Sequence, residues 1–118
     1  MINLIQRIFL PANKLANIKL KKEIMRIVKT TTAHHDSYMT ASGSVVNHFS
    51  IHKNGLIVDL TRTFDKSRPE KYQIIYNLRL DDSQRIIYAT NSDIDKFVKK
   101  VYNKTYTLWD NARKTNAK

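Results

Sequence analysis

The sequence predicts an α+β fold of two layers: N-terminal helices, a four-stranded antiparallel meander, and a C-terminal helix packed on one face of the sheet. Three observations predict it. Apolar residues recur at helical spacing near both ends of the chain, alternating runs fill its middle, and Asn54-Gly55 sits between two of those runs. Charge follows the same division. Residues 1–30 hold seven Lys/Arg against one acid, residues 31–91 seven against six, and residues 92–118 seven against three, within a net charge of +11. The helical ends therefore carry the positive field, and the sheet is nearly neutral. A length of 118 residues suits one domain, 1–118, with residues 111–118 expected as a frayed tail.

The N-terminal helical region is expected in two pieces, residues 2–9 and about 12–29. Pro11 divides them, since a first helical turn tolerates proline and an interior does not. In the longer piece Ala16, Leu20, Ile24, Ile27 and Val28 form an apolar stripe, while Lys19, Lys22, Arg26 and Lys29 fall on another arc at intervals of three and four. The β-branched run Thr30–Thr32 and the polar "AHHDSYMTASGS" end this helix and read as a connection.

The first hairpin follows from Asn54-Gly55, because a type I′ turn needs positive φ at both central residues. A two-residue loop sets Lys53 opposite Leu56, Ile51 opposite Val58, Phe49 opposite Leu60, Asn47 opposite Arg62 and Val45 opposite Phe64. His52 with Ile57, Ser50 with Asp59, His48 with Thr61 and Val46 with Thr63 make the other face. Arg62, on the inner face, is expected to reach out at the sheet's margin. "DKSRPE" leads to a third run, in which Tyr72, Ile74, Tyr76, Leu78 and Leu80 alternate with polar residues, and "RIIYAT" is the fourth. Matching apolar faces sets Leu78 opposite Ile86 and Tyr76 opposite Tyr88, which requires a loop of three or five residues around "DDS". Tyr72, Tyr76 and Tyr88 then belong to the inner face. The outer face carries His48, His52, Thr61, Thr63, Gln73, Ile75, Asn77, Arg79, Arg85 and Ile87, without paired aromatics on which bases could stack.

The last helix is capped by Asn91 or Ser92, with Asp93 and Asp95 complementing its positive end. Ile94, Phe97, Val98, Val101, Tyr102, Thr105, Leu108 and Trp109 make its buried stripe, with Trp109 anchoring it to the sheet. Lys96, Lys99, Lys100 and Lys104 point outward.

Several function classes are excluded by composition. The chain has no Cys, hence no thiolate nucleophile and no zinc site built on thiolates. Its two glycines, Gly43 and Gly55, supply no glycine-rich phosphate cradle. The first residues show neither a cleavage pattern nor a span of about 18 apolar residues, so a cytoplasmic protein with no membrane segment is expected. Richness in Lys, Asn and Ile resembles the composition of small accessory proteins of phages and mobile elements, which places the expected setting in a bacterial host cell.

The histidines raise the question of an enzyme. His48 and His52 lie four apart on one strand face, roughly 13 Å at strand rise, too far to share one zinc ion. Ser50 and Asp59 lie between them, which supplies the residue types of a hydrolase, but a flat wet face offers neither pocket nor oxyanion hole. His34 and His35, being adjacent, point apart on an extended chain. No metal, no cofactor and no catalytic residue is therefore expected, and the protein reads as no enzyme. The leading expectation is a small basic accessory protein that binds nucleic acid through phosphate contacts from Lys19, Lys22, Arg26, Lys29, Lys96, Lys99, Lys100 and Lys104. The alternative is an inhibitor of a bacterial host or defence factor, of the anti-CRISPR or replication-inhibitor kind, docking on acidic protein. In either case His48, His52, Asp59, Arg79 and Arg85 are expected on a sheet surface that a partner, or a second copy of the chain, could cover.

Overall fold

A computed structural model describes residues 8–11, 14, 15, 17–94 and 96–116. Its elements are β1 (Ile8–Leu10), α1 (Ile18–Thr30), β2 (His34–Met39), β3 (Val45–Lys53), β4 (Leu56–Phe64), β5 (Ile74–Asp81), β6 (Arg85–Thr90) and α2 (Phe97–Asn116), with a 3₁₀ turn at Glu70–Tyr72. The strands form a six-stranded mixed sheet in the order β1-β6-β5-β4-β3-β2, antiparallel except for β1 against β6. The fold is thus α+β, but the four-stranded meander with N-terminal helices is overturned. Two additional strands close the two edges of the sheet, and α1 follows a strand.

Both additions come from pairing that local pattern does not reveal. Of the short piece expected as helix over residues 2–9, residues 2–7 lie outside the described residues, and Ile8–Leu10 is strand. A three-residue apolar run has no readable period, and here the exposed edge of β6 supplies its hydrogen bonds, with Phe9 opposite Ile86 and Leu10 opposite Ile87. At the other edge His34–Met39 is read from sequence as connection, being polar and without alternation. It becomes β2 because β3 pairs it residue by residue, from His34 opposite Ser50 to Met39 opposite Val45. α1 carries the chain across the sheet between these edges. It begins later than expected, because Asn17 Oδ1 accepts from the N–H groups of Lys19 (2.9 Å) and Leu20 (3.2 Å) and so caps it.

The β3–β4 register is the expected one at all the paired positions, from Val45–Phe64 to Lys53–Leu56, with Asn54 at φ 52° and Gly55 at φ 78°. β5–β6 departs from the expected register by three residues, an odd step that exchanges the two faces of β6. Leu78 faces Ala89, Leu80 faces Ile87 and Arg79 faces Tyr88. The loop is even, Ser83-Gln84, and the Asp82 N–H donates to the Arg85 carbonyl at 3.1 Å. Asp82 Oδ1 accepts from the N–H groups of Gln84 (2.8 Å) and Arg85 (2.9 Å), so the side chain closes the turn without any positive φ. Ile87 and Ala89 therefore face the core, Ile86 and Tyr88 face out, and Arg85 turns to the helix side.

Leu15, Leu20, Ile24, Ile27 and Val28 meet Phe49, Ile51, Val58, Leu60, Leu78, Leu80 and Ile87, and Val98, Val101 and Tyr102 complete the same core. α2 is pinned by rings: Tyr102 lies edge-on to Phe49 (5.4 Å) and Tyr76 (5.2 Å), and Trp109 packs on Phe49 (5.6 Å) and His35 (4.5 Å). Burial pushes the Tyr102 hydroxyl up to about 12, against the opposing pull of the nearby Arg62 charge. The helix runs on to Asn116, its last turns tied by Asp110 to Arg113 (2.7 Å) and Lys114 (3.0 Å). Among the described residues no helix is long and apolar enough to cross a membrane.

Candidate nucleic-acid interface

The two basic arcs reach different parts of the surface. Lys19, Lys22, Arg26 and Lys29 all stand exposed along α1. Lys19 lines a hollow of about 270 Å³ with Lys14, Arg85 and Glu23, so its charge is partly offset by an acid. Lys96, Lys99, Lys100 and Lys104 are likewise exposed, and they are brought together around one shallow hollow of about 360 Å³ shared with Asn103 and Thr107. Among the described residues no carboxylate lines it.

The start of α2 explains this concentration. Asp93 and Asp95 are expected in its first turn, but the helix begins at Phe97. Asp93 instead accepts from the Thr90 N–H (3.1 Å), Asn91 Oδ1 accepts from the Tyr76 N–H (3.1 Å), and Asp95 lies outside the described residues. The first turn is Phe97-Val98-Lys99-Lys100, with no acid in it. Two lysines there oppose the positive end of the helix dipole, an arrangement that costs about 0.3–1 kcal/mol per charge. Lys96, Lys100 and Lys104 succeed one another at about 6 Å intervals along the axis. Lys99 also passes over an aromatic ring, its Nζ 5.9 Å from the Tyr76 ring centre.

The outer sheet face holds a different kind of site. His48 Nε2 is 3.1 Å from Asp59 Oδ1, and Arg79 bridges Asp59 (3.4 Å) and the buried Asp81. His52 Nε2 is bonded instead to Ser50 Oγ at 3.1 Å. The serine and the carboxylate thus engage different histidines. A hydrolytic relay needs one histidine between them, and His48 and Asp59 share a hollow whose lining includes neither Ser50 nor His52. Among the described residues no cluster of three or more metal-ligating side chains occurs. His34 and His35 take opposite faces of β2, His35 against Trp109 on the helix side.

Of the surface expected at His48, His52, Asp59, Arg79 and Arg85, the first four share the outer face. Arg85 does not. The three-residue shift in β6 moves it to the helix side, where its Nε binds Asp82 at 3.0 Å. The same shift moves Tyr88 outward, where its ring meets Phe9 at 5.2 Å and lies 5.7 Å from the Arg79 guanidinium. Aromatic residues on this face are the feature that sequence reasoning missed. The signal available was the doubly apolar "RIIYAT", which fits either register, followed back to an Asp that can close a two-residue turn.

Comparison with protein-family models, with curated proteins and with solved structures gave no match.

Proposed function

We propose that this protein is a non-enzymatic nucleic-acid-binding protein that holds the phosphate backbone on the α2 face formed by Lys96, Lys99, Lys100 and Lys104. The observation that carries the reading is the convergence of four lysines on one hollow, with Asn103 and Thr107 beside them as neutral hydrogen-bonding partners and no lining carboxylate among the described residues. A face built for helix stability would place acids in the first turn of α2. This one places lysines there, an arrangement that favours an anionic partner over the isolated fold. The α1 lysines extend the positive field of a chain at +11 and aid encounter.

The test uses that opposition. Lys99→Glu/Lys100→Glu should raise the melting temperature slightly while weakening binding to DNA and RNA, so that lost binding cannot be ascribed to lost fold. With Lys96 and Lys104 also changed to Glu, the slope of log K against log salt for duplex DNA should flatten by roughly 3 to 4, about 0.9 for each phosphate contact removed. Equal retention of parent and variant across the salt series would refute the proposal. A second reading, a protein inhibitor, is favoured by the exposed side chains of Tyr38 and Met39 on the edge strand β2 and of Val45 beside it on β3. Recovery of one stoichiometric protein from nuclease-treated bacterial lysate would favour that reading, and loss of every partner would favour nucleic acid.

A further inference from the structure

The register of β6 and the pairing of β1 give the outer sheet face three aromatic side chains from three strands: Tyr38 of β2, Tyr88 of β6 and Phe9 of β1. They are 50%, 48% and 63% exposed. Tyr38 and Tyr88 both line a hollow of about 240 Å³, with Thr61 and Asn77 in its lining and the bonded His48–Asp59–Arg79 group beside them. The one carboxylate in this lining is Asp59, already matched by His48 and Arg79, so the hollow presents rings, an amide and a hydroxyl rather than net charge.

A second hollow of about 290 Å³ adjoins it. Thr90 is paired with Asn77, and Ile75 lies two residues from Asn77, a step of about 7 Å along the strand. Arg68, Lys71 and the half-exposed Tyr72 complete this second hollow, and among the described residues no carboxylate lines it. A neutral, ring-flanked hollow next to a cationic one matches the alternation of base and phosphate in a single strand. A duplex hides its base faces and cannot use such a surface, whereas an unpaired base offers a π face whatever its identity.

We propose that the outer face of the sheet binds single-stranded nucleic acid, with bases stacking on Tyr38 and on Tyr88 at opposite sides of the hollow and a phosphate held by Arg68 and Lys71. The proposal rests on the reading that the protein binds nucleic acid, and it adds a preference for unpaired strands. The α2 lysines hold phosphates of either form.

Fluorescence anisotropy with oligothymidylate, oligouridylate and a mixed-sequence duplex separates the two surfaces. Tyr38→Ala/Tyr88→Ala should lower single-strand affinity about tenfold or more and leave duplex affinity nearly unchanged, since stacking is worth that much per base. Tyr38→Phe/Tyr88→Phe should retain parental binding, because the ring and not the hydroxyl does the stacking, and it also controls for disturbance of the Phe9–Tyr88 contact. Arg68→Glu/Lys71→Glu should weaken the single strand more than the duplex. Equal losses on single strand and duplex, or none on the single strand, would overturn the outer-face site and leave the α2 face standing. Failure of the parent protein to bind any of the three probes would overturn both. Photocrosslinks from 5-iodouracil oligonucleotides should fall on Tyr38, Tyr88 or Phe9, and crosslinks confined elsewhere would count against the site.

Discussion

The hairpins β3–β4 and β5–β6 both turn through two residues, but the turns are specified by different physics. In the first, Asn54 and Gly55 adopt positive φ, which few other residue pairs tolerate, so the backbone itself dictates where the chain reverses. In the second, Ser83-Gln84 has no positive φ, and the carboxylate of Asp82 closes the turn by accepting three bonds from Gln84 and Arg85. The strands differ too. β3 and β4 have one apolar face, so a slipped register would bury His48 and Asp59, whereas β6 offers Ile86 and Tyr88 on one side and Ile87 and Ala89 on the other. The difference teaches that a strand with two apolar faces leaves its register to the turn, and that the turn then decides which rings reach solvent.

The largest expected effect separates the two faces of β6. Ile87→Ala removes a fully buried side chain from the core and should cost about 2–5 kcal/mol. Ile86→Ala, on the partly exposed outer face, should cost less than about 1 kcal/mol. Urea unfolding of both variants measures the difference, and a larger cost at Ile86 would reinstate the odd-numbered loop.

A smaller effect compares the turns. Gly55→Ala forces a Cβ into φ 78° and should cost roughly 1–2 kcal/mol, with no gain or clash from neighbours because nothing lies within 4 Å of the added atom. Gln84→Ala, with no such φ, should stay within about 0.5 kcal/mol. Similar costs at the two positions would remove the distinction drawn between the hairpins.

The smallest effect is a pH dependence. Burial is the largest single influence on Asp82 and raises its pKa. The bonds from the Gln84 N–H and from the Arg85 side chain and N–H, with the Arg85 charge, outweigh burial and hold the carboxyl below its ordinary value of 3.8. Its contribution to stability is therefore present above the ordinary value and lost as pH falls through the lowered one. Asp82→Asn should be less stable than the parent at neutral pH, with the deficit shrinking in acid below about pH 4. Urea midpoints measured at neutral and acid pH check this, and a deficit that grows in acid would contradict the role given to the charge.

Much of the candidate site was legible in spacing. The outward lysines of α2 follow from the apolar stripe of the same helix, since burying Val98, Val101 and Tyr102 leaves Lys99, Lys100 and Lys104 no other direction. Their convergence on a hollow that no carboxylate among the described residues lines was not legible, because Asp93 reads as a first-turn residue until the Asn91 and Asp93 side chains are seen to serve β5 and Thr90 instead. The outer-face rings escaped for three separate reasons: Phe9 lies in a run too short to show a period, Tyr38 in a strand too polar to look like one, and Tyr88 in a strand that fits two registers.

By itself the sequence determined the features with local causes: α1 and α2 from their helical stripes, the β3–β4 register from Asn54-Gly55, and the gathering of positive charge on the helical ends. Tertiary structure decided what depends on a distant partner. Ile8–Leu10 and His34–Met39 are strands because β6 and β3 present unpaired backbone edges that must be satisfied. Tyr88 faces outward because an even loop shifts every side chain of β6 to the opposite face, and no pattern confined to "RIIYAT" distinguishes its two apolar faces.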